Sequence, residues 1–441
     1  MQKQPIETIQ LRPFTKISAF HAFILIEFLW ALATLLAFWH VSPPLRDRWV
    51  WMLVLAILFT LTKLIVTRRV PLLLLLLGVF WLLTLFNFTN APLHRENYWV
   101  LVCRPLAGIW FVLSAQSLAS VWRDVRVFAA LTLLLAIFIS VLALTSSQWD
   151  SKSAAFTSMI EQLPRLDTKA FLPDAQLSFN PNEIAGAMAW LCPLMFGLIG
   201  WNEHRFWKIG FVTAGVLLLV ALFLGQSRFA IFGVLAALIL LAIVMLRRRT
   251  RILIISSLIG LAILQVQLVR VVTDVANPTA IDVVVTGLSG RDQSSINTRI
   301  QMWQRSLDML RDYPFTGVGM SMYRTAIRTP QYQIAYFEEI NFTAPHTHNE
   351  WLQIAVDLGI PGVMWFVLLH AVLAGYVWQI SSKRQKEYVW IVGIVAAWLA
   401  HTIYGLGDAV TLWDRFAFIF WWVIAWLVAA YEAQKLRYNE D

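Results

Sequence analysis

The sequence predicts an all-α polytopic membrane protein of about twelve spans, and three observations lead there. It is 59% hydrophobic and only 14% charged, where soluble domains carry about 25% charge. Its apolar runs are about twenty residues long, the length a helix needs to cross a bilayer core. Its 22 tryptophans suit a chain with much surface at the membrane–water boundary. A soluble enzyme is excluded on these grounds. The net charge of +9 does not call for nucleic acid, because membrane proteins keep excess Lys and Arg in their cytoplasmic loops.

The expected spans are 20–39, 49–67, 70–88, 99–119, 125–144, 183–200, 207–225, 229–246, 251–270, 358–379, 388–407 and 415–431. The first is too long for the core of a cleaved signal, so it reads as an uncleaved span. With the N-terminus inside, the short inner segments hold 19 Lys and Arg, among them Arg247, Arg248, Arg249 and Arg251, and the outer ones hold 8. That asymmetry places both termini in the cytoplasm. Three regions follow. Residues 1–270 hold nine spans and an exterior loop at 145–182; residues 271–357 form a large exterior loop; residues 358–441 hold three spans and a cytoplasmic tail. Cys103 and Cys192 both fall in apolar runs and read as small packing residues.

Within the shorter loop, Asn180 and Asn182 flank a proline and suit a turn leading into a helix. In the long loop, Ile296, Ile300, Trp303, Leu307 and Leu310 are spaced by four, three, four and three. They predict one apolar helix face, docked on the membrane domain or lying at the bilayer surface. Pro314 ends that helix, and Gly317-Val318-Gly319 predicts a tight bend.

Several polar residues stand where chemistry is possible. Arg228, in a short exterior turn, reads either as a snorkelling anchor or as a grip on an anion such as phosphate. Arg299 lies on the loop helix, with Arg291 and Arg305 on the same segment, and the alternative there is a solvated helix face. Arg104 lies inside the fourth span, where it needs a cavity or a carboxylate, and Glu27 is a candidate partner. His346 and His348 form an H-x-H pair followed by Asn349. Such a pair raises the question of a metal, but the loop offers no third and fourth ligand beside it, so acid–base work is the stronger reading. His401, Tyr404 and Asp408 end the eleventh span and either line the same mouth or form a satisfied hydrogen-bond cluster.

The motifs S-R-F-A at 227–230, R-I-Q-M-W at 299–303, Y-P-F-T-G-V-G at 313–319 and H-N-E-W-L with D-L-G-I-P-G at 348–362 together resemble the O-antigen ligase and polymerase family of bacterial envelope glycosyltransferases. The resemblance implies transfer of a glycan from an undecaprenyl-diphosphate carrier to an acceptor hydroxyl on a lipid or glycan. It implies the exterior face of the bacterial inner membrane, no metal and no other cofactor. It also implies essential roles for Arg228, Arg299 and His348; Arg291, Arg305, Asn349 and Arg104, by their type and position, are the candidates for further contacts to the diphosphate or acceptor. Ligases, polymerases and protein oligosaccharyltransferases all share these motifs. The rival from another class is a transporter of lipid-linked glycans. Against it stand the absence of duplicated halves and the concentration of polar residues in one loop.

Overall fold

The computed structural model describes residues 19–40, 49–67, 72–93, 98–122, 126–147, 162–163, 180–200, 204–257, 260, 294–335, 344–381, 388–409 and 416–438. It is all-helical. The helices are α1 (Ala19–His40), α2 (Trp49–Thr67), α3 (Leu72–Asn90), α4 (Tyr98–Trp122), α5 (Arg126–Ser146), α6 (Pro181–Leu198), α7 (Arg205–Gly225) and α8 (Arg228–Met245), then α9 (Ser294–Asp312), α10 (Tyr323–Ala326), α11 (Glu350–Ser381), α12 (Tyr388–Gly405) and α13 (Ala417–Tyr438). Among the described residues, eight helices are long and apolar enough to cross a membrane. Eleven of the expected spans coincide with helices. Of the ninth, residues 251–257 and 260 are helical and its remainder, like Arg291 and most of the 145–182 loop, lies outside the described residues, while Cys103 falls on α4. Cys192 is a buried free thiol.

The core is built around α12, which packs most extensively on α6 and α8. Small residues allow these helices to touch backbone to backbone. Gly393 on α12 faces Gly197 on α6, and Gly233 on α8 faces the Ala400 carbonyl, so a Cβ at either helix crossing would collide. Close approach through glycine is a normal way for helices to associate where lipid gives no hydrophobic drive between them. Polar bonds across helices add to it. The indole N–H groups of Trp422 and Trp426 on α13 both donate to Thr132 Oγ1 on α5, at 2.9 and 2.6 Å.

Asn180 caps α6 as the Asn-Pro-Asn turn predicted, its Oδ1 accepting from the Asn182 N–H at 2.9 Å. The expected Arg104–Glu27 pair is not formed. Glu27, fully buried on α1, takes Lys63 of α2 at 2.7 Å and the Trp110 indole at 3.2 Å. Lys63 is the nearer cation because its long stem reaches across from α2 and also donates to Ser117 at 3.0 Å.

The start of the expected tenth span also differs. Helix begins at Glu350 and breaks at Gly359, whose φ of 69° and ψ of −169° are not helical. The break is a socket for the 313–319 bend. Ile360 N–H donates to the Pro314 carbonyl at 2.7 Å and Val318 N–H to the Val356 carbonyl at 2.8 Å. From α3, the Asn87 side chain reaches both segments, donating to the Thr316 and Asp357 carbonyls and accepting from Met320 N–H. Gly317 (φ 63°) and Gly319 (φ 121°) make the bend that the sequence predicts.

Helix α9 lies on α11, but not by the expected face. Met302, Ser306 and Met309 are buried, while Ile300 and Leu307 are exposed. The reason is a small separate core. Met302 and Met309 pack with Val318, Tyr323, Ile327 and Val356, residues of the loop itself and of α11. Trp303, on the edge, donates its indole N–H to the Thr347 carbonyl at 3.1 Å.

Candidate active site

Three stretches meet at the end of the bundle where α8 begins and α12 ends. Helices α7 and α8 are joined by a two-residue turn in which Gln226 takes a left-handed φ of 48°, and Arg228 is the first residue of α8. The N-cap, Ser227, makes no side-chain capping bond. The opening N–H groups of a helix, with its dipole, form a natural anion site. Arg299 on α9 is one turn before Met302 on the buried face, which turns it inward, and its guanidinium lies 5.9 Å from the centre of the Phe229 ring. Arg228 and Arg299 are close enough to repel one another. The reverse of the aromatic contact is Gly407, where any side chain would strike the Phe229 ring.

The turn 344–349 brings the histidines to the same place. His348 has a left-handed φ of 53°, a conformation that costs a non-glycine residue about 1–2 kcal/mol. Local bonds hold it. His348 N–H donates to His346 Nδ1 at 3.2 Å, Thr347 Oγ1 donates to the Asn349 carbonyl at 2.7 Å, and Thr347 N–H donates to Gln353 Oε1 at 2.9 Å. Gln353 is steadied by Asp357 Oδ2 at 2.9 Å. His348 Nδ1 lies 3.1 Å from Asp408 Oδ1, and His346 Nε2 lies 3.7 Å from the same oxygen. Burial raises the Asp408 pKa, but His348, His346 and Arg299 together outweigh it and hold the carboxyl well below the usual range. An ionised Asp408 accepts, so Nδ1 of His348 carries a proton, and in the neutral ring it is Nε2 that keeps the lone pair. Carboxylate, imidazole and free ring nitrogen form the arrangement of a general base that is oriented from behind.

Asp408 also supplies the third potential metal ligand that the sequence lacks near the H-x-H pair, since His346, His348 and Asp408 present ligand atoms within 4.8 Å of one another. The hydrogen bonding fits a metal poorly. Nδ1 of His346 accepts a backbone N–H, so a neutral His346 carries its proton on Nε2, the atom that faces Asp408. The neighbouring arginine charges oppose a cation as well.

The other predicted residues are placed as follows. Asn349 caps α11, its Oδ1 accepting from Leu352 N–H at 3.0 Å and its Nδ2 donating to the Leu406 carbonyl at 3.2 Å. Arg305 pairs with Asp308 at 3.4 Å on the outer side of α9. Arg104 is on α4, which packs chiefly against α13 and α1 rather than on α8, α9 or α12. His401 pairs with Glu350 at 3.1 Å, and Tyr404 donates to the Asn182 carbonyl at 3.0 Å.

Residues 213–367, from α7 through the first half of α11, match the family model described as O-antigen ligase. This part of the chain is similar to the O-antigen ligase family. Comparison with curated proteins gives no match. The O-antigen ligase segment contains Arg228, Arg299, His346, His348 and Glu350, whereas Asp408 and His401 lie beyond it. The family so described performs glycosyltransferase-like ligase or polymerase chemistry on lipid-linked glycans in general.

Proposed function

We propose that this protein transfers a glycan from an undecaprenyl-diphosphate carrier to an acceptor hydroxyl at the exterior face of the bacterial inner membrane, without a metal, and that both termini lie in the cytoplasm. The observation that carries the reading is the meeting of two arginines and a helix start with a carboxylate-backed histidine in one place.

As the sugar C1–O bond breaks, negative charge grows on the departing diphosphate. Arg228, Arg299 and the first N–H groups of α8 stabilise it, and fixed donors of this kind are each worth about 3 kcal/mol in a water-poor site. An anion between the two guanidinium groups also relieves their mutual repulsion. His348 takes the acceptor hydroxyl's proton on Nε2, while Asp408 holds its tautomer and supports the imidazolium that forms. The new bond joins the acceptor oxygen to C1, the bond from C1 to the diphosphate oxygen breaks, and the electron pair leaves with the lipid. Polymerisation and transfer to protein differ from ligation only in what presents the hydroxyl.

The test is glycan transfer by the purified protein from an undecaprenyl-diphosphate donor, with and without EDTA. Transfer is expected to persist under chelation and to vanish in His348→Ala with donor binding retained. Loss on chelation that manganese or zinc restores would overturn the metal-free reading and make His346, His348 and Asp408 ligands. Donor movement across vesicles without any transfer would favour a transporter.

A further inference from the structure

Two carboxylates, each met by histidine, join the 344–350 segment to the end of α12, and they run in opposite senses. The segment gives His348 to Asp408 and Glu350 to His401. We infer that Glu350 and His401 are positioning residues for the transfer reaction, setting where Asp408 stands behind His348. The inference rests on the function proposed above.

Both side chains are almost wholly buried, at 7% and 5% exposure, and His401 Nε2 meets Glu350 Oε1 at 3.1 Å. Burying such a pair seldom adds much stability over an apolar pair of the same size. What it adds is direction, because a hydrogen bond fixes angle and distance together. His401 is fixed from its other side too, stacked on Trp190 of α6 with ring centres 4.3 Å apart and planes 19° apart. Glu350 is confined by Gly405, where a Cβ would lie 2.7 Å from Glu350 Oε2.

Between His401 and Asp408 the chain has little freedom. Leu406 N–H bonds to the Ile403 carbonyl, and Gly407 and Asp408 N–H both bond to the Tyr404 carbonyl, at 3.1 and 3.0 Å. A shift of Glu350 against His401 is thus carried about two turns, through the end of α12 and the turn that follows it, to Asp408. The same shift reaches His348 through Asn349, the one residue that separates it from Glu350. Glu350 and His401 bond to one another beside the segments that carry His348 and Asp408, so the pair should govern the proton-handling half of the site and leave the donor grip alone.

The experiment measures kcat and donor KM for transfer by the wild type, Glu350→Ala, Glu350→Gln, His401→Phe and the double variant Glu350→Ala/His401→Phe. A misplacement of about 1 Å can cost on the order of a hundredfold in rate. Glu350→Ala and His401→Phe are therefore each expected to lower kcat by about that factor, with donor KM within about twofold. Glu350→Gln, which still accepts a hydrogen bond from His401, should stay within about tenfold of wild type. The double variant should be no slower than either single one, because both remove the same bond. His401→Phe keeps the stack on Trp190 but leaves Glu350 buried without its partner, so the double variant, which removes both groups, carries the test if either single variant does not fold. Wild-type kcat in His401→Phe would overturn the inference. So would parallel losses in kcat and donor binding, or multiplicative losses in the double variant. If the wild type itself performs no transfer, it is the proposed function that fails.

Discussion

Arginine and lysine carry the same charge, but only the guanidinium offers two parallel N–H donors to a phosphate. Arg228→Lys and Arg299→Lys are each expected to cut transfer on the order of a hundredfold and to weaken donor binding, whereas His348→Ala should spare binding. Separate binding and turnover measurements on the purified variants check this, and lysine variants that remain active would place the diphosphate elsewhere. Asp408 makes a prediction about pH. Its carboxyl is held below its ordinary value of 3.8, so the ionised form favours the folded state. That contribution is complete above the ordinary value and is lost as the pH falls through the depressed one. Asp408→Asn should melt below wild type at neutral pH, with the gap closing as the pH is taken below about 4. A gap that widens on acidification would contradict the pairing. The two arginines and His348 were legible because each sits in a local motif. The His348–Asp408 contact was not, because 60 residues separate the partners, and sequence places Asp408 no more closely than at the mouth of the site. Arg104 and Glu27 show the converse failure. Two charges in apolar runs invite pairing, but the sequence does not say which helices are neighbours, and Lys63 lay closer.

Helix α9 holds two regular stripes. One is Ile300, Trp303, Leu307 and Leu310; the other is Arg299, Met302, Ser306 and Met309. Both have helical spacing, and hydrophobicity alone favours the first. The second wins because the 313–334 loop and α11 provide a core that methionine, being flexible, can fill. The turn of the helix that buries Met302 also aims Arg299 at Phe229. Break residues were easier to read than faces. Gly317, Gly319 and Gly359 all have left-handed φ values, and the sequence marked each with a neighbouring proline or second glycine. At Gly359 a Cβ would lie 2.6 Å from the Pro314 carbonyl oxygen. Gly359→Ala is expected to cost about 1–3 kcal/mol, read as a lower melting temperature in detergent. It should lower transfer through the loosened loop, whereas Gly375→Ala, with open space around its Cβ position, should change neither.

For the whole molecule, hydrophobic run length was enough to find eleven of the described helices, because a span must close its own backbone hydrogen bonds in lipid. Run length cannot say how helices are arranged, and here the deciding contacts are glycine on glycine and glycine on carbonyl, which leave no hydrophobic signal. Orientation is open to direct measurement. Single cysteines at Gln304 and Thr329 should react with an impermeant maleimide added outside intact cells, while cysteines at Arg248 and Lys208 should react only after the membrane is opened. The reverse pattern would invert the topology. Phe229 bears on how such a protein can change over time. Its ring lies between the cation-bearing start of α8 and the turn that leads to Asp408, and a rigid aromatic plane cannot itself stretch or shrink to change that gap. Diphosphate and hydroxyl are common to every donor and acceptor the proposed reaction would use. The variable sugars would meet other parts of the loop. A lineage could therefore exchange one surface polysaccharide for another by remodelling outlying residues, while the distance between leaving group and base, set by the thickness of one ring, is inherited unchanged.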